Sequence, residues 1–127
     1  MIDTHCHLND SQFDNDLDSV INNFFLSGGK ALICVGADFS SSMKAKMIAE
    51  SNDNIYYTIG VHPDDCDTYS QSEMEDLILT KSDKLVAIGE IGLDYFHNKL
   101  NKAKQIEVFV SQINLAIKYN LPIVIHC

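Results

Sequence analysis

Apolar positions along the chain fall into two alternating patterns, short continuous runs and longer stretches with helical spacing. Ile2 to His7 is a short extended run, and Phe13, Leu17, Val20, Ile21 and Phe24 then follow at helical spacing until Gly28-Gly29 supplies a stop. Lys30 to Gly36 predicts a second strand. Ser40 to Ser42 offer caps for a helix carrying Met43, Met47 and Ile48 on one side. Ile55 to His62 predicts a third strand, closed by Pro63, which has no backbone donor to give. An acidic stretch from Asp64 to Asp76 runs into a short helix ending near Thr80, and Leu85 to Glu90 predicts the fourth strand. The longest helix follows, with Ile106, Phe109, Val110, Ile113, Ala116 and Ile117 as its apolar stripe. Leu121 to Cys127 predicts a fifth strand, with Pro122 tolerated at its start.

Strands that are apolar almost throughout are buried on both faces, as in a parallel sheet covered by helices. Two α/β architectures fit this alternation, a doubly wound open sheet and a (β/α)8 barrel. Element count alone favours the open sheet, because a complete barrel takes about 250 residues. The polar residues favour the barrel. His5 and His7 lie near the end of the first strand and, two apart, share one face, with Thr4 and Cys6 on the other. His62 ends the third strand, Glu90 the fourth and His126 the fifth. Five ends in an open row are too wide for one site, whereas a closed barrel gathers them around one mouth. The expected fold is therefore of parallel TIM-barrel type but incomplete, with about five strands and four helices of an eightfold barrel.

Charge changes the picture of possible partners. With nine basic and 18 acidic residues the net charge is −9, which excludes a broad basic surface for wrapping nucleic acid. All the basic residues are lysines. No apolar run reaches the roughly 18 to 20 residues of a membrane span, and the N-terminus does not read as a signal peptide. A cytoplasmic protein is expected. The widely spaced Cys6, Cys34, Cys66 and Cys127 read as reduced thiols, with Cys6 and Cys127 as packing residues.

Imidazoles with a carboxylate suit zinc, manganese or ferrous iron. His5 and His7 would hold one metal and His126 a second, with Glu90 lying between them, one carboxylate oxygen for each. Two such cations can share a hydroxide and clamp a phosphate. Each residue also has a plainer role open to it: a strand-end histidine can serve as a cap, Glu90 as an acceptor of backbone amides, and Asp94 as a turn residue. What favours the metal is that so many of these residues fall at strand ends.

The segments IDTHCHLND, TIGVHPDD and VAIGEIGLDYF, then Gln105, Phe109 and Gln112 leading to LAIKYNLPIVIHC, resemble the TatD family of metal-dependent deoxyribonucleases in the amidohydrolase superfamily. The match runs in order from residue 2 to the last residue. The resemblance implies a distorted (β/α)8 barrel that hydrolyses phosphodiester bonds from a DNA end, with a metal-bridging hydroxide as nucleophile. It implies two divalent metal ions, zinc, manganese or magnesium, with His5 and His7 on the first, His126 on the second and Glu90 bridging them as the catalytic carboxylate. His62 and Asp94 fall in motifs that line the family's site, in supporting or substrate-contacting positions. Family members run to about 260 residues, the size of such barrels. A further metal-binding histidine and a metal-binding aspartate of the eighth strand have no counterpart in these 127 residues. The chain thus reads as the N-terminal part, residues 1–127, of a single barrel domain. Two other readings stand beside the nuclease: hydrolysis of a cyclic amide or ester at the same centre, and a non-catalytic half-barrel that self-associates through its uncovered edges.

Overall fold

The computed structural model describes residues 1–97, 99 and 101–127. Five strands form one sheet: β1 (Ile2–Cys6), β2 (Ala31–Cys34), β3 (Ile55–Ile59), β4 (Leu85–Gly92) and β5 (Ile123–His126). Four α-helices connect them: α1 (Leu17–Leu26), α2 (Phe39–Glu50), α3 (Gln71–Leu79) and α4 (Lys102–Lys118). All neighbouring strands are parallel and lie in sequence order, β1-β2-β3-β4-β5. A doubly wound sheet reverses its order at a switch point; this one does not. The fold is an incomplete, open parallel (β/α) barrel.

Burial follows position in that arc. β4 is buried at seven of its eight residues, and Ile55, Tyr57, Thr58 and Ile59 of β3 are buried as well. The one polar residue among these four is satisfied: the Thr58 hydroxyl accepts from the Gly36 amide and donates to the Gly89 carbonyl, lacing β4 to the end of β2. The outer strands differ. β1 has no buried residue, and Ile123 and Ile125 of β5 are 37% and 53% exposed.

Several helix details depart from the sequence expectation, each for a local reason. Phe13 belongs to a separate 3-10 turn, Ser11–Phe13, capped by the Asp10 side chain, and α1 begins only at Leu17. The cap of α2 is Asp38 rather than a serine: its carboxylate accepts from the Ser41 amide while the Ser41 hydroxyl accepts from the Asp38 amide. Met43 and Met47 of this helix are exposed, and Ser42, Ala45, Ile48 and Ala49 face the sheet, small residues that let helix and strands approach. In α4 the buried face is Gln105, Val108, Gln112, Leu115 and Ala116. Ile106, Val110 and Ile117 of the expected stripe are exposed instead, because two glutamines whose amides are paired occupy the inner face. Cys127 is exposed rather than packed, and the four cysteines are free thiols.

Candidate metal centre

The end of β1 carries the histidine pair. The odd-numbered side chains share one face, and Nε2 of His5 lies 3.2 Å from Nε2 of His7. Cys6, between them, points the other way and its thiol meets the Ile33 carbonyl. Nδ1 of His7 is 3.2 Å from the Val35 carbonyl oxygen. A carbonyl only accepts, so this contact places the ring proton on Nδ1 and leaves the Nε2 lone pair free for a cation. The Asn9 amide holds the same Val35 carbonyl from a buried position.

Glu90 reaches this pair from β4. Three strand spacings of about 4.8 Å separate β1 from β4 in a flat sheet, so contact between the two requires the sheet to curl. One oxygen of Glu90, Oε2, lies 3.3 Å from Nε2 of His5 and 3.8 Å from that of His7. Its other oxygen, Oε1, is 3.1 Å from Nδ1 of His126 at the end of β5. The Glu90 amide donates to the Gly36 carbonyl at 2.7 Å, which fixes its place in the arc.

These distances suit metal ligation. Metal–nitrogen bonds of about 2.0–2.1 Å meeting at a tetrahedral angle imply donors roughly 3.3 Å apart, close to the spacings among His5, His7 and Glu90. His126 is arranged in the same sense. Its Nε2 lies 3.1 Å from Oδ2 of Asp94, and a neutral ring that donates there keeps the Nδ1 lone pair beside Glu90. Two groups of potential ligand atoms result, His5–His7–Glu90 and His62–Glu90–His126, joined through the carboxylate.

His62 does not end β3, which stops at Ile59; it caps the 3-10 turn Pro63–Thr68. Nδ1 of His62 accepts from the Asp64 amide at 3.1 Å, which leaves the proton of the neutral ring on Nε2. Burial, together with neighbouring His126, pushes this imidazole below its usual pKa and favours that neutral form. Its ring centre lies 4.2 Å from that of His126. His62 stands within ligand reach of Glu90 and His126.

Asp94 is buried and accepts four hydrogen bonds. Its Oδ1 takes the amides of Phe96 and His97, and its Oδ2 takes the rings of His97, at 2.8 Å, and His126. The His97 amide, then the His97 ring, hold this carboxyl well below the ordinary carboxylate range, and Asp94 in turn raises the pKa of His97. Sequence reasoning passed over His97 because it sits in a loop rather than at a strand end.

It also gave no role to Gln105 and Gln112. Two turns apart, they lie on one face of α4. The side chain of Gln112 accepts from the Val61 amide and donates to the Val61 carbonyl, clamping the residue before His62. Gln105 does the same to the backbone of Asp94, at 2.8 and 3.0 Å. A seven-residue spacing of glutamines inside an apolar helix was the available signal.

Comparison with known proteins agrees with this geometry. The family model described as TatD related DNase matches residues 2–127. An uncharacterized metal-dependent hydrolase, YabD of Bacillus subtilis strain 168, is 41% identical over 127 residues, covering 99% of this chain and 50% of that protein. The 3'-5' ssDNA/RNA exonuclease TatD of Escherichia coli K12 is 34% identical over 128 residues, with 100% and 49% covered. Among solved structures, YjjV, a TatD homolog from Escherichia coli K12, superposes with a TM-score of 0.91 at 27% identity, over 99% of this chain and 50% of that one. A TatD family hydrolase from Entamoeba histolytica gives 0.86 at 27% identity, over 100% and 49%. The chain spans about half the length of the curated relatives it matches. Its sequence, its arc of strands and its paired ligand groups place this chain in the TatD-related DNase family.

Proposed function

We propose that residues 1–127 are the N-terminal part of a single barrel domain whose complete form hydrolyses phosphodiester bonds at the ends of DNA strands. The observation that carries this is Glu90, which offers one carboxylate oxygen to His5 and His7 and the other to His126. His5, His7, Glu90 and His126 would hold two divalent cations, zinc, manganese or magnesium. Bound there, the cations would supply Lewis acidity toward a phosphoryl oxygen and lower the pKa of attacking water. The chain's own side chains prepare the rest of the site. The Val35 carbonyl keeps His7 in its ligating tautomer, Asp94 turns the His126 ring toward Glu90, and the Asp64 amide on Nδ1 of His62 leaves its Nε2–H as the proton that would be donated to a phosphoryl oxygen. Water adds to phosphorus, the ester oxygen leaves with a proton, and a nucleotide is released.

The relatives named as single-stranded DNA and RNA exonucleases support an unpaired strand as substrate. The test is release of nucleotides from end-labelled single-stranded DNA by the complete protein, first stripped with a chelator and then reloaded with each cation. Activity should return with the metal and be lost, by about 100-fold or more, in Glu90→Ala. A fully active Glu90→Ala protein would overturn the assignment, and hydrolysis of cyclic amides or esters instead of DNA would redirect it.

A further inference from the structure

A cleft of about 360 Å³ opens between His126 and Cys127 on one side and the loop that follows β4, with Leu93, Tyr95, Phe96 and His97, on the other. Its surface is unusual for a loop in a chain of this charge. Phe96 is 80% exposed although apolar, and Tyr95 is 39% exposed. His97 is two-thirds exposed, yet its Nδ1 and amide are both tied to Asp94, so the ring is held in place with its Nε2 edge turned away from that carboxylate. Phe96 and His97 meet edge to face with centroids 4.8 Å apart. Nearby, three of the nine lysines fall between positions 99 and 104, at and just before the start of α4, and Nζ of Lys102 sits 4.9 Å over the Tyr95 ring.

We propose that this cleft is a subsite for one unpaired nucleotide next to the metal centre, with Phe96 as the surface on which its base stacks and His97 as the donor to its phosphate. The inference rests on the nucleic-acid reading above and adds the residues that would recognise a base. Stacking needs an exposed aromatic face, which Phe96 presents among the described residues, and it is indifferent to base identity because every base has a π-face. Phosphate recognition needs a donor fixed in direction. The buried Asp94 carboxylate supplies that fixing for His97, and keeps its imidazole cationic to higher pH than usual. While Lys104 is paired with Glu107, Lys102, over the Tyr95 ring, and the positive end of the α4 helix dipole form a local basic edge. They offset the acidic turn across the mouth, where Asp64 and Asp67 lie and where Asn101 bonds Asp67. A duplex end presents its bases already stacked and paired, so the cleft suits a frayed or single-stranded end.

The test compares binding of fluorescently labelled hexathymidylate with an abasic hexamer of the same backbone charge, by anisotropy, in calcium to prevent turnover. The unmodified protein should bind the base-bearing strand more tightly. Phe96→Ala should weaken it by about 5- to 20-fold, within the range of one base on one aromatic ring, while binding of the abasic strand stays unchanged. Phe96→Trp should restore the preference. His97→Ala should weaken both ligands equally. If Phe96→Ala leaves the preference for bases intact, the stacking subsite is overturned and the nuclease reading survives. If the metal-loaded protein binds neither strand, the nucleic-acid reading fails and the subsite falls with it.

Discussion

Strands β4 and β5 lie side by side and send ligand candidates to the same centre, yet they are held in different ways. Among the described residues, β4 has strand neighbours on both sides and is buried along nearly its whole length, whereas β5 pairs with β4 and leaves Ile123 and Ile125 exposed. Glu90 therefore sits in the buried interior of the arc, its amide bonded to the Gly36 carbonyl, while His126 and the His5–His7 pair sit on or beside its outer strands. The carboxylate shared by the two groups of potential ligands comes from the part of the fold that the core determines, and the imidazoles come from parts that depend on contacts around the mouth. Close backbone approach transmits position from one strand to the other. A Cβ on Gly92, whose φ is +157°, would lie 2.1 Å from the His126 carbonyl oxygen, so only glycine allows β5 to seat there.

Two isoleucines break this comparison most sharply if it is wrong. Ile88 on β4 is fully buried and Ile125 on β5 is half exposed. Ile88→Ala should cost about 2–5 kcal/mol, the usual range for such a buried truncation, whereas Ile125→Ala should cost less than about 1 kcal/mol. Chemical denaturation of the two variants checks both; equal losses would mean that β5 is as deeply packed as β4.

The glutamine clamps of α4 come next. Gln112→Ala would leave the buried amide and carbonyl of Val61 unpaired, at about 1–3 kcal/mol for each group that water cannot reach. Gln105→Ala should act likewise on Asp94. Both should also weaken metal affinity by about 10-fold or more, as loss of groups that orient ligands does. Gln112→Glu, which keeps an acceptor for the Val61 amide but sets a buried carboxylate against the Val61 carbonyl, should lose at least as much as alanine at neutral pH. Thermal melting and metal titration on the same samples separate the two effects.

The smallest effect lies on the solvent side of the same helix. Lys118 and the Tyr119 hydroxyl hold Glu75 on α3, and Lys118 first, then Tyr119, lowers the Glu75 carboxyl below its usual pKa. A carboxyl whose pKa is depressed in the folded state stabilises the fold above its unfolded value, and that contribution disappears as pH falls through the folded value. The parent should therefore lose a small increment of melting temperature relative to Glu75→Gln as pH drops below about 4.3. The difference between the two should be constant at higher pH. A gap that widened on raising the pH would contradict the assignment.

Much of this was legible before the structure, and what was not has a common cause. Strand order, parallel pairing and the convergence of His5, His7, Glu90 and His126 followed from continuous apolar runs ending in polar residues, because in such folds strand ends share a rim. The inner face of α4 was misjudged for the reason that makes the site work. Gln105 and Gln112 read as polar, but their amides pair with the backbone of Asp94 and Val61, so the helix buries them and turns Ile106, Val110 and Ile117 outward. Met43 and Met47 were misplaced similarly, since close helix–sheet packing selected Ser42, Ala45 and Ala49 over bulk. His97 could not be found from periodicity at all; only the folded loop brings it to Asp94.

The most direct test is a calorimetric titration of the chelator-stripped protein with manganese, repeated for His7→Ala, His126→Ala and Glu90→Gln. If Glu90 joins two cation sites, the parent binds two equivalents, each histidine variant loses one of them, and Glu90→Gln weakens both. Glu90→Gln binding two equivalents with parental affinity would contradict the shared carboxylate on which the account rests.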